Sequence, residues 1–194
     1  MTQKLNFGTA LGALVIFFLP WLDFQCQGKS FVQQTGIQTI TGKASLTPEF
    51  ESLAESMGDG SAEDSSGKNA PKSILAALAL ISIVLAIITA LAALRSAGGG
   101  ENNVAGWLCA IALGLLITQA AMGFPAARDL ERQVREGQSQ NSADDSFGNL
   151  ASAAVASTIQ TKHLPAFYIE LALLGLPTLL LANGLLDRMR KDSG

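Results

Sequence analysis

Charge is scarce in this chain. Only 15% of its 194 residues are Asp, Glu, Lys or Arg, and four stretches hold almost none of them. A soluble helical protein carries charge along the outer face of each helix, so that class is excluded. The net charge of −3 is small, and no basic cluster is interleaved with aromatics, so no nucleic-acid partner is expected. Cysteine occurs twice, at Cys26 and Cys109, too few for a disulfide framework. Histidine occurs once, and His163 has no metal-type company near it in the chain. It reads as an exposed loop residue beside Pro165. No His-Glu-x-x-His, Gly-x-Ser-x-Gly, Cys-x-x-Cys or paired-acid pattern is present. The chain therefore reads as a non-enzyme without catalytic residues, metal ligands or a cofactor. Thiol oxidoreductases pass electrons between cysteine pairs, and isolated cysteines do not allow this. No Asn-x-Ser/Thr acceptor occurs, which is compatible with a bacterial inner membrane.

What the chain does have is long apolar runs, over residues 5–22, 73–94, 104–124 and 166–186. Each is close to the roughly 20 residues that cross a hydrocarbon core about 30 Å thick. The expected fold is a membrane all-α four-helix bundle, one domain over residues 1–194. Its outer loops, 23–72 and 125–165, would carry a small antiparallel sheet and short helices. Lys4 followed by an apolar stretch resembles a signal peptide, yet Leu19, Pro20, Trp21 and Leu22 are too bulky for a cleavage site, so a retained anchor is expected. Gln25 before Cys26 argues against a lipoprotein.

An even number of spans puts both termini on one side. Lys4, Arg95, Arg188, Arg190 and Lys191 lie in the short exposed pieces. Lys/Arg bias in short loops sets orientation, so the termini should be cytoplasmic and the long loops outside. Trp21 and Tyr168 would mark the outer aromatic belt and Trp107 the inner one. Cys26 and Cys109 then fall toward opposite faces, and a disulfide needs Cα atoms within about 7 Å. Cys109 reads as a small packing residue, and Cys26 as a free thiol or an intermolecular bridge.

Helices in lipid meet through small residues. Gly106, Ala110, Gly114 and Thr118 form one stripe in the third run; Ser82, Ala86 and Ala90 form one in the second; Gly8 and Gly12 form a GxxxG pair in the first. These read as packing within the bundle or, alternatively, as a dimerisation face. Polar residues inside the runs are few: Thr89, Thr118, Gln119, Thr178 and Asn183. Glu170 is the single charge within a span. With Asn183 and Gln119 it forms the candidate intramembrane polar site. About one turn inside the outer boundary, it is expected to pair with Lys72 or Lys162. Pro177 is a candidate kink in the fourth span.

In the first loop, Leu22, Phe24 and Cys26 alternate with polar residues, a strand period. Gly28-Lys29 suggests a tight turn, and the stretch from Phe31 through Gly42 continues in β-favouring residues. Thr47-Pro48-Glu49 marks a helix start over 48–57, and 59–70 reads as a linker. In the second loop a charged helix is expected over 126–136, with Glu131 and Arg135 spaced to pair. Val155, Ser157, Ile159 and Thr161 predict a strand over 154–163 that could join the first-loop sheet. A helix across 147–156 competes for part of it.

Trp21 and Cys26 after a first span, with a β-rich first loop and an extended third helix, resemble the claudin and peripheral-myelin-protein group in layout. The full Gly-Leu-Trp–Cys–Cys signature of that group is not present. The resemblance implies an outer sheet suited to contacts. The start of the loop, Pro20-Trp21 with Cys26, also looks like four-span bacterial envelope proteins. The expected function is a non-enzymatic structural or interaction protein, with the bilayer, a second copy or an envelope protein as partners. The alternative is a small transporter, channel or accessory subunit.

Overall fold

The structure, a computed structural model, describes residues 2–26, 28–43, 45–48, 71–95, 103–129, 132 and 159–192. It is mostly helical, with a small antiparallel sheet. The chain forms two units. The first comprises residues 1–19, 74–122 and 165–194; the second comprises 20–73 and 123–164.

The first unit holds α1 (Thr2–Ile16), α3 (Ile74–Arg95), α4 (Val104–Met122) and α5 (Pro165–Asp192). They pack in a ring: α1 against α3 and α5, and α4 against α3 and α5. Helices α3, α4 and α5 are long and apolar enough to cross a membrane, whereas α1 is a shorter apolar helix. The span expected over 5–22 is therefore corrected. Helix α1 has 15 residues, about 22 Å at 1.5 Å each, and closes in a tightened turn. Phe18 N–H donates to Val15 O at 3.1 Å and Leu19 N–H to Ile16 O at 2.9 Å. Pro20 has no N–H and disfavours helical geometry at Leu19, so the backbone leaves the helix there.

Buried positions in all four helices recur at alternating three- and four-residue steps. The series is Asn6, Ala10, Ala13 and Phe17 from α1 and its closing turn; Ala76, Ala79, Ile83, Ala86 and Ala90 on α3; Ala105, Cys109, Ala112, Leu116 and Gln119 on α4; and Phe167, Glu170, Leu174, Pro177 and Leu181 on α5, with Thr9, Ser82 and Gly106 buried beside it. This is the seven-residue period of left-handed helix packing. The seam is rich in alanine, and the large aliphatic side chains point outward: Ile74 is 74% exposed and Leu179 64%. Large apolar residues outside and small ones inside invert the order of a water-soluble bundle. Hydroxyls in the helices bond their own backbone: Thr9 to Leu5 O and Ser82 to Leu78 O, both at 2.9 Å, and Thr178 to Leu174 O at 2.8 Å.

The second unit contains β1 (Pro20–Cys26), β2 (Lys29–Thr35), α2 (Gly36–Thr41), β3 (Ser45–Leu46) and β4 (Ile159–His163). The strand order is β3-β2-β1-β4, and every neighbouring pair is antiparallel. The hairpin turn lies between Cys26 and Lys29, which pair, with Gly28 at φ 80°. A side chain at that φ meets its own backbone, so glycine suits the site. Strand β4 pairs with β1, placing Phe24 opposite Thr161 and Leu22 opposite His163. Trp21, Leu22, Asp23 and Phe24 are all buried, so β1 is covered on both faces. Trp21 is therefore a fully buried residue and not an exposed outer-belt aromatic as expected.

The continuation of β-structure through Gly42 is also corrected, because residues 36–41 form α2. Thr35 and Gln38 make a reciprocal capping box, and Gly42 closes the helix at φ 73°. The third helix and the charged helix expected over 126–136 are separated at Gly123, φ 80°, where a left-handed residue ends α4. Helical geometry resumes at residue 125. The expected elements over 48–57, 59–70 and 147–156, and the pairing of Glu131 with Arg135, lie outside the described residues, apart from Pro48.

Candidate functional site

Glu170 is the one acid on the buried seam of the four helices. Its residue is fully buried, and neither carboxylate oxygen has a hydrogen-bond partner. The expected ion pair is thus not made. Lys72 and Lys162 are exposed, and an exposed ammonium keeps its hydration. Phe167 and Leu174, one turn to either side on α5, are buried with Glu170. An unpartnered carboxylate in such apolar surroundings is strongly disfavoured, so the position marks a functional candidate in a membrane helix.

Of its two expected companions, Gln119 is buried and Asn183 is exposed. A Cβ on Gly106 of α4 would lie 3.6 Å from Leu181 Cβ of α5, which sets the level of these two antiparallel helices. Counting along the helices at 1.5 Å per residue, Gln119 and Glu170 stand at levels within about 3 Å of each other. Asn183 lies about 20 Å further along α5, on its outer surface. The trio therefore reduces to Glu170 and Gln119. Sequence reasoning missed a second buried polar group, Asn6, whose Oδ1 is also unpartnered; its signal was an amide inside an apolar run.

The small-residue stripes divide. Ser82, Ala86 and Ala90 are buried on α3. On α4, Gly106 faces Leu181, but Ala110 is half-buried, while Gly114 and Thr118 are exposed. The buried face is turned away from that stripe because it follows the seven-residue seam and not a strict four-residue step. On α1, Gly12 meets Leu173 at 3.3 Å from where its Cβ would stand, whereas Gly8 has nothing within 4 Å. Cys109 is a free, buried thiol. The side chain of Cys26 lies outside the described residues.

In the second unit, buried Asp23 is satisfied by neutral donors: Gln25 Nε2 at 2.6 Å and the Ser30 hydroxyl. Buried Gln34 donates to Lys43 O at 2.8 Å, while its Oε1 has no partner. His163 lies against Phe124, ring centroids 5.6 Å apart. Partial burial lowers its pKa below the usual histidine value. His163 is thus a half-buried strand residue and not an exposed loop one. Among the described residues no group of three His, Cys, Asp or Glu gathers as a metal site. Comparison with known proteins finds no matching family model, no matching curated protein and no matching solved structure.

Proposed function

We propose that the chain is an integral membrane protein, a four-helix bundle whose sheet-bearing unit forms an extracytoplasmic cap that makes contacts, either with a second copy or with another envelope protein. The observation that carries this is the pairing of β1 with β4. It joins the segment after α1 to the segment before α5 in one folded unit. If α3 and α4 cross the bilayer, the start of α3 and the end of α4 open on the same side, so both segments of the sheet belong to that side. Lys/Arg bias in the short connections favours cytoplasmic termini in a bacterial inner or plasma membrane. The layout resembles that of the claudin group, in which an outer sheet serves contacts.

The helices support a passive scaffold: their seam is alanine-rich, and most of their hydroxyls are occupied by their own backbone. Burial of Glu170 favours the second reading, a small transporter, channel or accessory subunit. A photo-crosslinking residue placed at exposed Lys29, Gln160 or Lys162 in native membranes tests the leading reading. A discrete adduct, either a dimer or one recurring partner, is expected. Monomers at every position would refute it.

A further inference from the structure

We propose that Glu170 is a proton-binding site inside the helical unit, holding and releasing one proton without a permanent ionic partner. The inference rests on reading the helices as membrane-spanning, but it concerns a residue that the contact function of the cap does not use. Three observations carry it. The residue is wholly buried, both oxygens lack a hydrogen-bond partner, and the neighbouring seam positions are Phe167 and Leu174.

Among the described residues, the helices packed against α5 offer no countercharge near Glu170. The helices packed against α5 are α1 and α4. The only charged residue of α1 is Lys4, about 16 Å away along the axis, and α4 carries none. The titratable group of α4 is Cys109, about 12 Å along the axis. On α5 itself Tyr168 is exposed, two residues away and so on another face. A metal cation would need several oxygen ligands at once. Among the described residues Glu170 belongs to no group of three or more His, Cys, Asp or Glu that could hold a metal ion. The hydroxyls of Thr9, Thr118 and Thr178 are bonded to carbonyls of their own helices. The proton is the cation a lone carboxyl holds without further ligands.

Carbodiimides read this state directly. The carboxyl proton moves to a carbodiimide nitrogen, the carboxyl oxygen bonds the central carbon, and the O-acylisourea rearranges to a stable N-acylurea. Every atom of both reactants is retained, and no oxidant or reductant takes part. Native membranes holding the full chain are treated with dicyclohexylcarbodiimide or with a water-soluble cationic carbodiimide, and adducts are mapped by mass spectrometry. We expect one adduct at Glu170, from the apolar reagent only. Its rate should fall roughly tenfold per pH unit once the pH passes the point at which the group loses its proton. E170Q should abolish it and E170D should restore it.

An unlabelled Glu170 in membranes whose surface acids do react would overturn the proposal. So would equal labelling by the water-soluble reagent, or protection by sodium or calcium at constant pH. Should E170Q fail to accumulate, site mapping and the pH series on the unaltered chain still decide. Recovery of the protein in the soluble fraction is a different failure, that of the membrane reading itself.

Discussion

Gly8 and Gly12 look equivalent as a GxxxG pair, yet the structure separates them. A Cβ at Gly12 would stand 3.3 Å from Leu173 Cδ1 and 3.8 Å from its Cδ2, across the α1–α5 contact. A Cβ at Gly8 would meet nothing within 4 Å. Replacing Gly12 by leucine therefore puts four carbons into an occupied contact, where overpacking costs about 1–3 kcal/mol. Removing a helical glycine returns about 1 kcal/mol. The net change for Gly12→Leu is then about 0–2 kcal/mol of destabilisation, or up to about 8 °C in Tm for a chain of this size. Gly8→Leu keeps the propensity gain alone and should raise Tm by about 2–4 °C. Gly114→Leu, on the exposed face of α4, should behave like Gly8→Leu. Thermal unfolding in mild detergent measures all three. Equal destabilisation by Gly8→Leu and Gly12→Leu would refute the assigned packing. A loss confined to Gly114→Leu, together with a change of oligomeric state, would mark the α4 stripe as an interface between copies.

Three further outcomes follow from the sheet-bearing unit. Gly28→Ala places a Cβ at φ 80° and should destabilise the hairpin by about 1–2 kcal/mol, read as faster amide exchange across β1 and β2. Thr35→Ala removes the side chain that caps α2 at 3.1 Å from Gln38 N and should cost about 1 kcal/mol, while Thr35→Ser should cost little. Burial lowers the pKa of His163 in the folded unit, so the folded form resists protonation more than the unfolded chain does. Stability should therefore be complete above the unfolded histidine pKa of about 6.5 and should fall as the pH drops below it. His163→Phe should flatten that part of the curve, as followed by Trp21 fluorescence.

Much of this was legible in the residues. The apolar runs mark α3, α4 and the start of α5 to within two positions, because crossing lipid demands both length and composition, while α5 runs six residues past the expected end. The alternation of Leu22, Phe24 and Cys26, and the later Ile159 and Thr161, marks strands because successive side chains point to opposite faces. The misses have local causes. Uniform apolarity over 5–22 masked the stop that Pro20 imposes. The β-branched residues of 37–41 outweighed the Thr35-x-x-Gln38 capping signal, although that signal was present.

Span composition and strand alternation are one-dimensional properties. Each depends on a residue and its near neighbours, so the chain alone marked the three long apolar helices and the strands of a small sheet, while the early end of α1 emerged only in the structure. Which face of an almost uniformly apolar helix turns inward has no such local mark. That choice was made by the partner helices through a shared seven-residue seam, which buried Cys109 and left Gly114 outside. The same packing removed Glu170 from every hydrogen-bonding partner. The solvation of a carboxyl depends on what surrounds it in space, and so only the tertiary structure could decide it.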